Sequence, residues 1–205
     1  MNYKTSFILG ATLALNMTIA SADDAAAIKL EKSLCVVCHG VGGNSTSPLF
    51  PRLVGQRAAY MEEQLKAFKN KTRADKDAQD YMWGWAGLLT DDEIKTLAAY
   101  YEKQKPSPGL PTDSAMRAKG EDIFKNGVSS KGIPACFACH GANAEGNPQM
   151  VPVTPRLAGQ NASYLIKQLK VFKGEQRPAA IAMHEIVKTL SDEEIEAVAN
   201  YLQSK

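Results

Sequence analysis

Histidine and cysteine are scarce in this chain and runs of basic residues are missing, and each scarcity removes a class of function. No block of five or more Lys/Arg occurs, and 24 basic against 22 acidic side chains leave a net charge of +2. Nucleic-acid binders carry a larger or more clustered basic excess, so nucleic acid is not expected as a partner. Beyond the first 22 residues no apolar run approaches the roughly 20 residues that span a bilayer, which excludes a multi-span membrane protein. No convincing strand alternation is found. With 44% hydrophobic and 22% charged residues among 205, the chain falls in the ordinary globular range.

Residues 1–22 read as an export signal. Lys4 supplies a short positive region, Phe7 to Leu15 an apolar run continued by Met17 to Ala20, and Ala20-Ser21-Ala22 a small-x-small cleavage site. The competing reading is a membrane anchor, for which this run, broken by Asn16, is short. Cleavage after Ala22 leaves 183 residues from Asp23 with 23 basic and 22 acidic side chains, a net of +1. For a bacterial source the expected location is the periplasm, where thiols oxidise unless something occupies them.

The chain is written twice. Cys35-x-x-Cys38-His39-Gly40 recurs at an offset of 101 as Cys136-x-x-Cys139-His140-Gly141. Pro51-Arg52-Leu53-x-Gly55-Gln56 recurs at 104 as Pro155-Arg156-Leu157-x-Gly159-Gln160, and Tyr60, Gln64, Leu65, Lys66, Phe68, Lys69 and Arg73 keep that offset. Met82 then matches Met183, and Leu89-Thr-Asp-Asp-Glu-Ile94 matches Leu190-Ser-Asp-Glu-Glu-Ile195, both at 101 again. A period this long means two similar small domains rather than solenoid units. The expected division is 23–105 and 112–205, with a Pro-rich linker over 106–111.

Both halves read as helical. Met61, Leu65 and Phe68, like Leu165, Leu169 and Phe172, fall on one helix face. Thr90-x-x-Glu93 and Ser191-x-x-Glu194 are capping boxes ahead of periodic apolar runs. Halves this small, with thin cores, need a staple, which a cofactor can supply.

Cys-x-x-Cys-His is the spacing of covalent haem attachment. Two thiols join the haem vinyl groups, and the adjoining His is held under the iron. Cys35, Cys38, Cys136 and Cys139 use every cysteine of the chain this way and give two haem c groups. The alternatives fit less well. Zinc ribbons set their pairs about 15–20 residues apart, and a redox dithiol sits in a βαβ setting. Two local disulfides leave both adjoining histidines unexplained.

Counting histidines constrains the iron. With His39 and His140 as proximal ligands, His184 alone remains for two distal positions, so both haems cannot be bis-His. Met82 and Met183 each lie 43 residues after their histidine, which makes them the expected distal ligands. His184 adjoins Met183 and is its rival; neighbouring helical side chains point about 100° apart, so only one faces the iron. Methionine ligation raises the potential relative to bis-His and closes the iron to substrates, which points to electron transfer.

These motifs together, over essentially all of the processed chain, resemble the dihaem cytochrome c4 family. The resemblance implies an all-α fold of two tandem class I cytochrome c domains related by a pseudo-two-fold axis, with haem propionates meeting near the domain boundary. It implies a periplasmic carrier fed by a quinol-oxidising complex, delivering to a terminal oxidase or reductase and in some members resting on the membrane. It also implies that the carbonyls of Pro51 and Pro155 orient His39 and His140. Arg52, Arg73, Arg156 and Arg177 then stand as propionate partners or as solvated surface residues. Trp83 and Trp85 lack aromatic counterparts and read as packing. The expected function is single-electron carriage without substrate turnover; a dihaem peroxidase and a subunit of a larger oxidoreductase are the rivals.

Overall fold

The computed structural model describes residues 22–150, 153–174 and 176–205; the expected export signal lies outside them, save for Ala22. The first half runs α1 (Ala22–Leu30), α2 (Val36–His39), α3 (Ala58–Lys69), α4 (Trp83–Gly87) and α5 (Asp91–Lys103). The second runs α6 (Ser114–Asn126), α7 (Phe137–His140), α8 (Ala162–Lys173), α9 (Ile181–Val187) and α10 (Asp192–Gln203). π-helical turns lead into α2 and α4, at Glu31–Cys35 and Ala78–Met82. The one bridge among the described residues outside helices is the isolated pair Val128 and Ile133. The fold is all-α, as expected.

Each half is built on its last helix, and the sequence explains where that helix starts. Thr90 and Ser191 accept the Glu93 and Glu194 amides, while both carboxylates reach back to the cap amides. Three acidic residues fill each first turn, where the helix dipole favours them. The apolar stripe Ile94, Leu97, Ala98 and Tyr101 of α5 is buried, as is Ile195, Val198, Ala199 and Leu202 of α10. α5 packs on α1 and α3, and α10 packs on α6 and α8. The helix crossings need small residues. Ala27 is the buried residue of α1, and a Cβ on Gly120 of α6 would lie 2.0 Å from the Ala197 carbonyl oxygen.

Residues 106–111, the expected linker, are tied to both halves rather than free. Ser107 Oγ donates to Asn44 Oδ1 in the first half, and the Leu110 amide donates to the Gln203 carbonyl in the second. The halves also meet directly through a set of hydrogen bonds that repeats under the pseudo-two-fold. Gln160 binds the amide and the carbonyl of Arg52, both at 2.8 Å; Gln56 binds the same two groups of Arg156 at 2.8 and 2.9 Å. Asn161 Nδ2 donates to the Phe50 carbonyl and Arg57 Nη1 to the matched Thr154 carbonyl. An interface around a two-fold axis uses each position twice, which is why both copies keep the glutamine and follow it with a polar donor, Arg57 or Asn161.

Candidate functional site

The two Cys-x-x-Cys-His segments line one largely apolar cavity of about 600 Å³ that runs through both halves. In each half the segment ends in a short helix closed by a glycine at positive φ, Gly40 at 72° and Gly141 at 81°. A side chain there would be strained, and on Gly40 it would also strike the Asn44 carbonyl. The return loop is held by matched bonds. Leu53 and Val54 amides donate to the Gly43 carbonyl, and Leu157 and Ala158 amides to the Ala144 carbonyl. This brings Pro51 and Pro155 beside the histidines.

His39 Nδ1 lies 2.9 Å from the Pro51 carbonyl oxygen and His140 Nδ1 lies 3.3 Å from that of Pro155, as the resemblance implied. A carbonyl only accepts, so Nδ1 carries the proton and Nε2 keeps its lone pair. Both rings are buried, and burial holds both imidazoles below their ordinary pKa against the opposing pull of the proline carbonyls. A neutral imidazole fixed through its far nitrogen is the form that binds a metal. The four cysteines are free thiols at the cavity wall. Burial pushes the Cys35 thiol up and the Cys136 thiol up to about 11. A dithiol working by exchange needs the opposite shift.

Met82 and Met183 both line the cavity, whereas His184 does not. His184 Nε2 donates instead to the Arg177 carbonyl at 2.8 Å. Its counterpart Trp83 does the same with Nε1 to the Arg73 carbonyl at 2.9 Å. Trp83 is therefore more than packing.

The arginines are not solvated surface residues. Arg52, Arg73 and Arg177 are buried, Arg156 is half-buried, and all four line the cavity. Arg73 and Arg177 are cross-linked over the domain boundary by the side-chain oxygens of Gln64 and Gln168, at 2.6–2.9 Å. Burial opposes the Arg73 charge, but the Tyr164 and Tyr60 hydroxyls and the Asp75 carboxylate outweigh it and keep the group charged.

These features fit a covalently held haem in each half. A flat macrocycle needs apolar walls, and thiols and a lone-pair nitrogen are present twice. Arg156 Nε is buried without a protein acceptor beside the cavity, which suits an anionic substituent. Among the described residues, no group of three or more His, Cys, Asp or Glu could hold a bare metal ion.

Sequence reading missed Gln56, Gln160, Gln64 and Gln168. Their signal was present: each recurs in both copies, on no apolar stripe and in no cofactor motif.

The family model described as Cytochrome c matches residues 24–105 and 117–205. The chain is 40% identical over 173 residues to cytochrome c4 of Thiocapsa roseopersicina, covering 83% of this chain and 86% of that one. It is 35% identical over 186 residues to the thiosulfate dehydrogenase electron acceptor of Thiomonas intermedia, covering 88% and 82%. The solved cytochrome c4 of Acidithiobacillus ferrooxidans superimposes with a TM-score of 0.78 at 40% identity, covering 84% of this chain and 99% of that one. With two cytochrome c domains, two haem-attachment motifs and relatives matched over nearly their whole length, the chain belongs to the dihaem cytochrome c4 family, electron carriers with a covalent haem c in each half.

Proposed function

We propose that Cys35 and Cys38 bind the first haem and Cys136 and Cys139 the second, with His39 and Met82 ligating one iron and His140 and Met183 the other. One observation carries the assignment: both methionines line the cavity, while the competing His184 does not and engages the Arg177 backbone carbonyl through its Nε2. When bound, each haem supplies an iron that takes up and releases one electron. The protein holds the proximal imidazoles neutral by burial, fixes their tautomer and orientation through the proline carbonyls, lines the site with apolar walls, and places Arg73, Arg156 and Arg177 on the cavity wall, where they would pair with the haem carboxylates. With both irons capped, the protein carries electrons and turns over no substrate.

The working chain begins at Asp23 in the periplasm, divides at 106–111, and passes electrons from a quinol-oxidising complex to a terminal oxidase or reductase. Peripheral contact with the membrane belongs to the same reading; among the described residues no helix is long and apolar enough to cross one. A second donor class, a thiosulfate dehydrogenase, is supported by the relative named as its electron acceptor.

Haem content and a visible spectrum of the purified protein test the assignment. The expected result is two haems per chain, mass starting at Asp23, and the weak long-wavelength ferric band of sulfur-ligated iron. A haem-free chain, or sustained hydrogen peroxide turnover, overturns it. Reduction by a thiosulfate dehydrogenase with thiosulfate present, and not by a quinol-oxidising complex, favours the second donor.

A further inference from the structure

The peptide unit joining Pro51 to Arg52 is held at both ends. Its oxygen accepts the His39 Nδ1–H at 2.9 Å, and its N–H donates to Gln160 Oε1 of the other half at 2.8 Å. The peptide unit joining Pro155 to Arg156 repeats this: its oxygen faces His140 Nδ1 at 3.3 Å, and its N–H donates to Gln56 Oε1 at 2.8 Å. Each histidine is thus connected, through one peptide group, to a glutamine of the opposite half.

The glutamines are built for this contact. Gln56 and Gln160 are 7% and 6% exposed. Each Oε1 also accepts the amide of its own next residue, Arg57 at 2.9 Å or Asn161 at 3.0 Å. Two N–H groups on one atom identify it as the oxygen, so the orientation of the amide is fixed. Each Nε2 then closes a second bond to the following carbonyl, that of Arg156 or Arg52.

We propose that Gln160 and Gln56 are positioning residues that tune, across the domain boundary, the electron-donating strength of His39 and His140. This rests on the reading that those histidines ligate iron. Hydrogen bonds in a chain polarise one another, by about 10–30% per bond in a shielded setting. Accepting the peptide N–H makes the peptide oxygen a stronger acceptor. That oxygen draws harder on Nδ1–H and leaves Nε2 a better donor, which favours ferric iron. Each iron's potential therefore depends on one glutamine of the other half, the first on Gln160 and the second on Gln56. The effect is larger for the first half, where the histidine bond is shorter.

The test uses the full holoprotein and spectroelectrochemical titration, with the two waves assigned by Met82→His, which moves the first. Gln160→Leu is expected to raise the first-haem potential by a two- to fivefold change in the ferric/ferrous ratio, about 20–40 mV for one electron, leaving the second wave in place. Gln56→Leu raises only the second wave, and by less. Gln160→Glu keeps the acceptor oxygen and returns the first wave to its original position or below; it also reads the effect if the leucine variant does not accumulate. Two waves moving together in either leucine variant mean only a loosened interface, and overturn the proposal. Unmoved waves with both haem spectra intact overturn it as well. Failure of the underlying reading is distinct: His39→Gly would then leave the first-haem spectrum unchanged.

Discussion

Trp83 in the first half and His184 in the second occupy matched positions beside a methionine, and both donate a ring N–H to the backbone carbonyl of the matched arginine. The chemistry of the side chain differs, while the job is the same. The loop after each Cys-x-x-Cys-His shows the same pattern. The Gly42 amide is met by Glu31 Oε1 at 3.0 Å, and the matched Asn143 amide by Glu145 Oε2 at 2.7 Å. Glu31 is buried and comes from the turn before the motif; Glu145 is exposed and comes from just after it. A backbone group that must be satisfied is a demand of the fold, and several side chains can meet it. Where no backbone demand applies, the halves diverge. Arg73 bonds a buried carboxylate, Asp75, at 2.9 Å; Arg177 has no carboxylate partner among the described residues and rests on Gln168, Gln64 and Tyr60.

The largest break in the comparison is expected at the methionine. Met183→Ala should remove the sulfur-ligated ferric band of the second haem, and Met82→Ala that of the first. His184→Ala should keep both bands and cost about 1 kcal/mol for the lost bond to Arg177. His184→Trp, which copies the first half, should recover part of that loss. A second-haem spectrum that depends on His184 instead of Met183 would reverse the assignment.

Asp75→Asn makes the first half resemble the second by removing the counter-charge of Arg73. Stranding a buried charge costs about 3 kcal/mol or more, read as a lower denaturant midpoint. A cost below about 1 kcal/mol would mean that Arg73, like Arg177, finds its compensation elsewhere.

The smallest contrast is between the two loop carboxylates. Glu31→Ala should cost about 1–3 kcal/mol, because it removes a buried acceptor. Glu145→Ala, at an exposed site, should stay within about 0.5 kcal/mol. Equal costs would show that water does not replace Glu145 at the Asn143 amide.

Local and repeated features were legible in the sequence because they depend on spacing alone. The capping boxes, the helix faces led by Met61 and Leu165, and the haem motifs each reside in a few consecutive residues, and the duplication marked which methionines to pair. The Pro51 and Pro155 contacts came from family resemblance, and the structure shows both. Residues joined across a hundred positions were not legible. Gln160 meets Arg52 and Gln56 meets Arg156 only because the two halves face each other about a near-two-fold axis, and nothing in either copy states how it docks. The burial of Arg52, Arg73 and Arg177, and the turning of His184 toward a carbonyl, were likewise decided by packing. A charged or titratable side chain takes its role from the partners that surround it after folding, and those partners lie far away along the chain.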